Sequence, residues 1–317
     1  MKQKINVSEI IEMLTDEILI ELNTGTLKKW TKSWLEFGFP TNAVTHNKYS
    51  LWNSRLLSLS SETNGFRNSI WATFNQWKDL GYKVKKGESA SARIISPITK
   101  TENEEFEIIS DFTINEKKTN VEFQAKPLFN IDQTNANIQD FQNLIGPIPL
   151  KQSKPLTLFI KSIPHICIED KIQQEAYYSW NGNIKDTIVM PPISSFKSEE
   201  DYWATYLHEL GHWTGSPIRL GRDITIKKWG DSNYAFEELV AELCSTLLGA
   251  AFGFQRDLQH KEYIGSWLSA LDKSPSTIYF AGKKAYDAAT FLCNLSGKYS
   301  PKSWPLPEYN NLQLKSR

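Results

Sequence analysis

The sequence predicts an α+β protein of two domains, with helices and short strands mixed in the first half and a mostly helical second half behind a small sheet. Three observations carry this. The length of 317 residues exceeds the usual size of one domain. The tract 133–155 is rich in Gln, Asn and Pro and interrupts the hydrophobic periodicity. Short strand-like runs are frequent before that tract, and long helical periodicities follow it. The expected boundaries are 1–135 for the first domain, 136–155 for a linker and 156–317 for the second domain.

Each element has its own signal. Ile5, Ile10, Ile11, Leu14, Ile18 and Leu22 recur at helical spacing and predict an amphipathic helix over 5–22. A second helix is expected over 50–59. A third, over 70–80, rests on Ile70, Trp71, Phe74, Trp77 and Leu80 and stops at Gly81. Strand-like runs follow at 82–84, 92–98, 106–114 and 122–129. In the second half, 186–190 reads as a strand closed by Pro191 and Pro192, which fits a sheet edge where an extended peptide could pair with it and equally an ordinary sheet strand. Ser198 with Asp201 three residues on signals a helix start, and that helix runs to about 213 with Gly215 as its stop. Further helices are expected over 233–252, 260–272 and 276–293.

Composition narrows the class. Hydrophobic residues make up 40% of the chain, enough for a buried core, and the formal net charge is zero. Cys167, Cys244 and Cys293 are an odd, widely spaced set, which fits a reducing compartment better than a disulfide framework. The first 25 residues carry five acids and no apolar core of a signal peptide. No run approaches the length of a membrane span. A cytoplasmic chain with no membrane partner is expected.

The strongest chemical signal is His208-Glu209-Leu210-Gly211-His212, the pattern H-E-x-x-H inside a predicted helix. A spacing of four puts both imidazoles on one face, one turn apart, as a single zinc ion requires. Glu209 then points toward the metal's open position, where it would take a proton from water and hand it to a leaving amine. A metzincin would continue to a third histidine, but that position is Ile218. The third ligand is therefore expected on the next helix. At 100° per residue, Glu238, Ala241, Glu242, Ser245 and Gly249 share a face of small and acidic residues, opposite Phe236, Leu239, Leu243 and Leu247, while Glu237 lies between. Glu238 is the expected ligand and Glu242 the carboxylate that orients a histidine. His260 is an alternative ligand. Tyr234 and Arg219 are candidates to stabilise an oxyanion. The expected cofactor is one Zn2+, or another divalent transition metal in its place.

Charge along the chain separates the halves. Residues 25–100 hold 12 basic and 4 acidic residues, a net of +8, whereas 101–135 hold 3 and 8, a net of −5. Within the basic stretch lie Trp30, Trp34, Trp52, Trp71, Trp77, Tyr49 and Tyr82. Cations interleaved with rings suit single-stranded nucleic acid, the cations following phosphates and the rings stacking on bases. The same rings would equally serve as core. Candidate contacts are Lys83, Lys85 and Lys86 in a turn before Gly87, then Lys28, Lys29 and Lys32, with Trp34, Tyr49 and Trp52 as stacking platforms.

The run 203–215, Arg219-Leu220 and the run 234–242 resemble the ArdC-type antirestriction proteins. So do Trp30 to Trp34, Pro40-Thr41-Asn42, Thr45, Tyr49, Asn53, the run 71–76, Leu80-Gly81, the run 84–88 and Phe129-Asn130. The resemblance spans nearly the whole chain. It implies an N-terminal single-stranded-DNA-binding domain, a C-terminal zincin-like domain and a role in protecting incoming plasmid or phage DNA from restriction. Duplex DNA is an alternative ligand, and a protein substrate is implied if the site is catalytic. Two other readings remain open: a DNA-coating protein with a structural or vestigial metal site, and a DNA-tethered protease acting on DNA-bound proteins. One departure stands out. Tyr49-Ser50-Leu51-Trp52-Asn53 occurs where Tyr-x-Gly-x-Asn is expected, which predicts an altered backbone path there.

Overall fold

The computed structural model describes residues 7–24, 38–97, 123–144, 153–164, 166–171, 175–180, 186–222, 232–253 and 276–301, together with Gly265 and Trp304. Helix α1 (Val7–Asn23) buries Ile10, Leu14, Ile18 and Leu22, one residue per turn on a single stripe. Helix α2 (Leu51–Asn64) ends at Gly65, whose φ of 68° lets its N–H return to the Ser61 carbonyl. Leu51, at the position where the family pattern has glycine, opens this helix and is buried, so a side chain is accommodated there without a positive φ.

The segment expected as a helix over 70–80 is instead two elements. Ile70, Trp71 and Ala72 form strand β2 (Ile70–Ala72), all three buried. The short helix α3 (Phe74–Asp79) follows, started by a reciprocal cap between Thr73 and Gln76. The same apolar residues fit helical spacing, but burial on both sides of a sheet favours the extended form for Ile-Trp-Ala. Strands β1 (Thr41–Asn42), β2, β3 (Ala92–Pro97) and β4 (Phe123–Asn130) make a sheet in the order β1-β2-β4-β3. β1 and β2 are parallel, and the other pairs antiparallel. The run 82–84 contributes one bridge, Val84 to Thr134. The strand expected over 106–114 lies outside the described residues, as does the helix over 260–272 apart from Gly265.

The Gln-, Asn- and Pro-rich tract from 133 is packed at its start, including Phe141 and Leu144 of the expected linker. Gln133 is buried, accepts from Ser91 Oγ and the Asn130 N–H, and donates to Glu88 and the Ser89 carbonyl. Phe141 and Leu144 join the cluster containing Trp77 and Phe129. Glutamine and asparagine here satisfy turns instead of loosening the chain.

Helix α4 (Ser153–Ser162) begins the second half. Strands β5 (Cys167–Asp170), β6 (Tyr177–Trp180) and β7 (Asp186–Met190) form a second sheet in the order β5-β7-β6. β7 is therefore central, with both backbone edges paired, which excludes the edge reading and leaves the ordinary sheet strand. Helix α5 (Glu199–Thr214) packs on β6 and β7, and helices α6 (Ser232–Ala251) and α7 (Ser276–Ser296) pack on α5 and on each other. No described helix is long and apolar enough to cross a membrane.

The halves share a buried cluster. Ile10, Leu14, Trp52, Leu56 and Ile95 from the first belong to the same buried cluster as Leu207, Leu243, Ala281 and Leu292 from the second. Trp52, expected at a DNA surface, is 1% exposed, and its ring lies against Gly282 of α7, where an added Cβ would come within 2.3 Å. Its function is packing: a ring sealed between two helices presents no face to a base.

Candidate metal centre

Helix α5 starts at Ser198, whose hydroxyl accepts from the Asp201 N–H at 3.1 Å, and Glu199, Glu200 and Asp201 sit in its first turn, where the helix dipole favours acids. Its last two turns lie along α6. Small residues let the backbones approach: a Cβ on Gly211 would be 3.0 Å from the Ala241 Cα, and Ser245 Oγ donates to the Ala204 carbonyl at 2.8 Å. This close seam brings the two motifs of the sequence together.

His208, His212 and Glu238 each offer a ligand atom, and these atoms all lie within 4.8 Å of one another. The two Nε2 atoms are 3.0 Å apart, and the Glu238 carboxylate oxygens lie 3.4 Å from His208 Nε2 and 3.5 Å from His212 Nε2. Each imidazole is held from behind. His208 Nδ1 is 3.0 Å from Glu242 Oε2, and His212 Nδ1 is 3.3 Å from Glu237 Oε1. With both Nδ1–H groups donated to carboxylates, the Nε2 lone pairs face each other and Glu238, an arrangement that a cation between them relieves. Nitrogens bound tetrahedrally at ~2.0–2.1 Å would sit roughly 3.3 Å apart, so the triangle fits a divalent metal.

Electrostatics say the same. Burial opposes charge on His208, yet the hydrogen bonds it donates to Glu238 and Glu242 outweigh that and raise its pKa to about 9. His212 rises well above its ordinary value: burial again opposes, and Glu238 and Glu237 prevail. Burial also works against the Glu238 carboxylate, but the two imidazoles hold it well below the usual range.

Glu209 is buried at 4% exposure, and its charge reaches His212. Tyr234 is half-buried on the first turn of α6, one turn before Glu238. Arg219 is placed differently from the expectation. Its guanidinium binds Asp186 at 2.5 and 2.7 Å and the Tyr178 hydroxyl at 2.9 Å, and it lies 3.8 Å over the Trp213 ring. With its Nε also on the Trp213 carbonyl, its donors are committed to tying the end of α5 to β6 and β7, not to an oxyanion. His260 lies outside the described residues. Sequence reasoning missed Arg222, which is buried and grips Glu237 through two bonds of 2.9 Å. Glu237 was visible in the acidic run, but no periodicity marks Arg222, which follows a turn.

The other candidate contacts scatter. Lys83, Lys85 and Lys86 are exposed in the turn closed by Gly87 (φ 91°), with Lys85 Nζ on the Asp132 carbonyl. Tyr49 is half-buried, its hydroxyl accepting from Asn42 at 2.8 Å and donating to the Trp71 carbonyl. Lys28, Lys29, Lys32 and Trp34 lie outside the described residues.

A metal-fitting H-E-x-x-H helix beside a glutamate-bearing helix, on a small sheet, defines a zincin-like domain, and residues 158–284 match the family described as zincin-like metallopeptidase. Residues 8–129 match the N-terminal domain of anti-restriction factor ArdC, so the chain joins in this order the two domain types of the ArdC-type antirestriction proteins. The Mn(II)-bound crystal structure of antirestriction protein ArdC from the R388 plasmid superposes with a TM-score of 0.65 and 28% identity, over 93% of this chain and 99% of that one. Its metal-free form gives 0.64 over 90% and 97%. DNA primase TraC of Escherichia coli is 30% identical across 89% of this chain, which spans only 27% of the primase. An uncharacterized protein of Sinorhizobium fredii is 25% identical, across 90% of this chain and 92% of its own length.

Proposed function

We propose that this chain binds single-stranded DNA through its N-terminal half and carries a divalent-metal peptidase site in its C-terminal half, the two together protecting incoming plasmid or phage DNA from restriction. The observation that carries the enzymatic part is the triangle of His208, His212 and Glu238 with buried Glu209 alongside. When bound, a divalent cation there would supply Lewis-acid chemistry, polarising a scissile carbonyl and making a water more acidic. Glu242 and Glu237 keep the Nδ1 protons in place, so both rings present Nε2. Glu209 takes the proton released from water and returns it to the leaving amine. Zinc suits two imidazoles and a carboxylate, and the Mn(II) held by the R388 protein makes manganese the ion to compare with it. On the DNA side, the support is the exposed lysine turn on a half with a net charge of +8 over 25–100.

The test is Glu209→Gln, which keeps the side-chain shape but not the base. Metal content should stay at the wild-type level while protection of unmodified plasmid in a restricting host is lost. Undiminished protection, with no cleavage of DNA-bound proteins by either wild type or variant, would leave DNA coating as the function. A DNA-tethered protease is favoured instead if the variant still protects yet no longer cleaves DNA-bound proteins, and the buried cluster shared by the two halves lends that reading weight.

A further inference from the structure

Resting on the reading of His208, His212 and Glu238 as a metal site, we infer that Arg222 is a positioning residue of this centre, acting on His212 through Glu237. The chain reaches this place by a turn. After α5, Gly221 adopts φ 64°, its N–H bonding the Ser216 carbonyl at 3.0 Å, and Arg222 returns to the seam between α5 and α6. There its guanidinium touches both helices. On α6 it holds both oxygens of Glu237, Nε on Oε2 and Nη2 on Oε1, each at 2.9 Å. On α5, Nη2 donates to the Gly211 carbonyl at 2.6 Å and Nη1 to Thr214 Oγ1 at 2.9 Å. Gly211 immediately precedes His212.

Four buried carboxylates, those of Glu209, Glu237, Glu238 and Glu242, surround two imidazoles. Without a restraint, Glu237 would compete with Glu238 for a metal, being its neighbour on the same turn. The fork of Arg222 prevents this. It engages both Glu237 oxygens, and Oε1 accepts from His212 Nδ1 as well, so Glu237 stays behind the ring. That contact fixes the tautomer in which His212 Nε2 carries the lone pair offered to a metal. A buried arginine pair of this kind is weak evidence for stability alone, since apolar residues often replace such pairs without loss. Its placement one bond behind a ligand gives it a function.

The test is a double-mutant cycle on metal affinity, using Zn2+ and Mn2+ in competition with a chromogenic chelator and the full chain. Arg222→Ala should weaken binding by about 10- to 100-fold, the range for removing a support behind a ligand. Glu237→Gln should weaken it comparably. The double variant should be no weaker than the worse single one by more than about twofold. Arg222→Lys, a point charge without the fork, should fall between wild type and Arg222→Ala. Thermal unfolding of each metal-free variant separates folding from binding. If Arg222→Ala proves unfolded, the cycle of Arg222→Lys with Glu237→Gln decides. Wild-type affinity in Arg222→Ala, or in Arg222→Lys if that variant replaces it, would overturn the inference. So would an Arg222 substitution that weakens binding as much in the Glu237→Gln background as in the wild-type chain. A wild-type chain that binds neither ion would instead remove the metal-site reading itself.

Discussion

Replacing Gly282 by alanine is expected to destabilise this protein, although the same change in an exposed helix interior stabilises by ~1 kcal/mol. The reversal comes from one contact across the two halves. A Cβ on Gly282 would stand 2.3 Å from Trp52 Nε1, 2.6 Å from Cε2 and 2.9 Å from Cζ2. No real Cβ approaches a ring so closely, so α7 or the indole must move. The indole is fully buried within the common cluster, so any movement must displace its neighbours there. Overpacking of this kind costs ~1–3 kcal/mol, and the rigid ring places it toward the upper end. Subtracting the helix gain leaves a net loss of about 1–2 kcal/mol. Urea unfolding of the full chain measures it, and Trp52→Ala provides the control. That truncation alone should cost ~3–5 kcal/mol. In its background Gly282→Ala should become neutral or stabilising, because the Cβ enters the vacated space. A stabilised Gly282→Ala in the wild-type background, or identical effects in both, would refute the contact as the reason for the glycine.

Three further outcomes follow from the same structure. His208→Ala should abolish metal retention, and Glu238→Ala should weaken it strongly, both read from metal content after dialysis; retention in Glu238→Ala would move the third ligand to Glu237 or Glu242. Reversing Lys83, Lys85 and Lys86 to Glu should weaken binding of labelled single-stranded DNA in fluorescence anisotropy and lower the salt slope by about 2, at ~0.7 for each phosphate no longer neutralised; an unchanged slope would place the DNA elsewhere. Burial lowers the Lys48 pKa from 10.5 to about 8, with Thr41 Oγ1 and the Leu144 carbonyl accepting from its ammonium. Because the folded value is depressed, that group's contribution is fully present above the unfolded pKa and is lost as pH falls through about 8. The stability difference between wild type and Lys48→Met should therefore change between pH 8 and 10.5 in denaturant titrations, and a pH-independent difference would show that Lys48 titrates normally.

What could be read from the sequence was local, and what could not was set by distant partners. The four-residue spacing of His208 and His212 places both rings on one helix face, and helical phase alone put Glu238 and Glu242 on the face of α6 that meets it. Ser198 and Asp201 marked the start of α5 by a contact three residues long. Ile70, Trp71 and Ala72 satisfy helical and extended patterns equally, and only their pairing with β1 and β4 decides between them. Whether Asp186–Met190 lies at an edge depends on Cys167–Asp170 and Tyr177–Trp180, two short strands with no clear alternation. Arg222 shows the same limit at the site: its importance lies in a fork across two helices, which no spacing encodes.

Trp52 joins these threads. In a stretch of basic residues and rings it reads as a base-stacking platform, yet its environment is supplied by α7, more than two hundred residues later. The composition break near 133–155 marks a change of architecture, and the packing does not break with it, since α1, α2 and β3 supply one wall of the core on which α5, α6 and α7 rest. Under the proposed function this has a mechanical consequence. A lysine turn that engages DNA and a metal centre that acts on protein would lie on halves joined by a shared buried cluster, so DNA binding would bring the metal centre near the strand. Proximity to the bound strand, more than recognition of a peptide sequence, would then select what the centre reaches. A flexible linker would relax that selection; a shared buried cluster would tighten it.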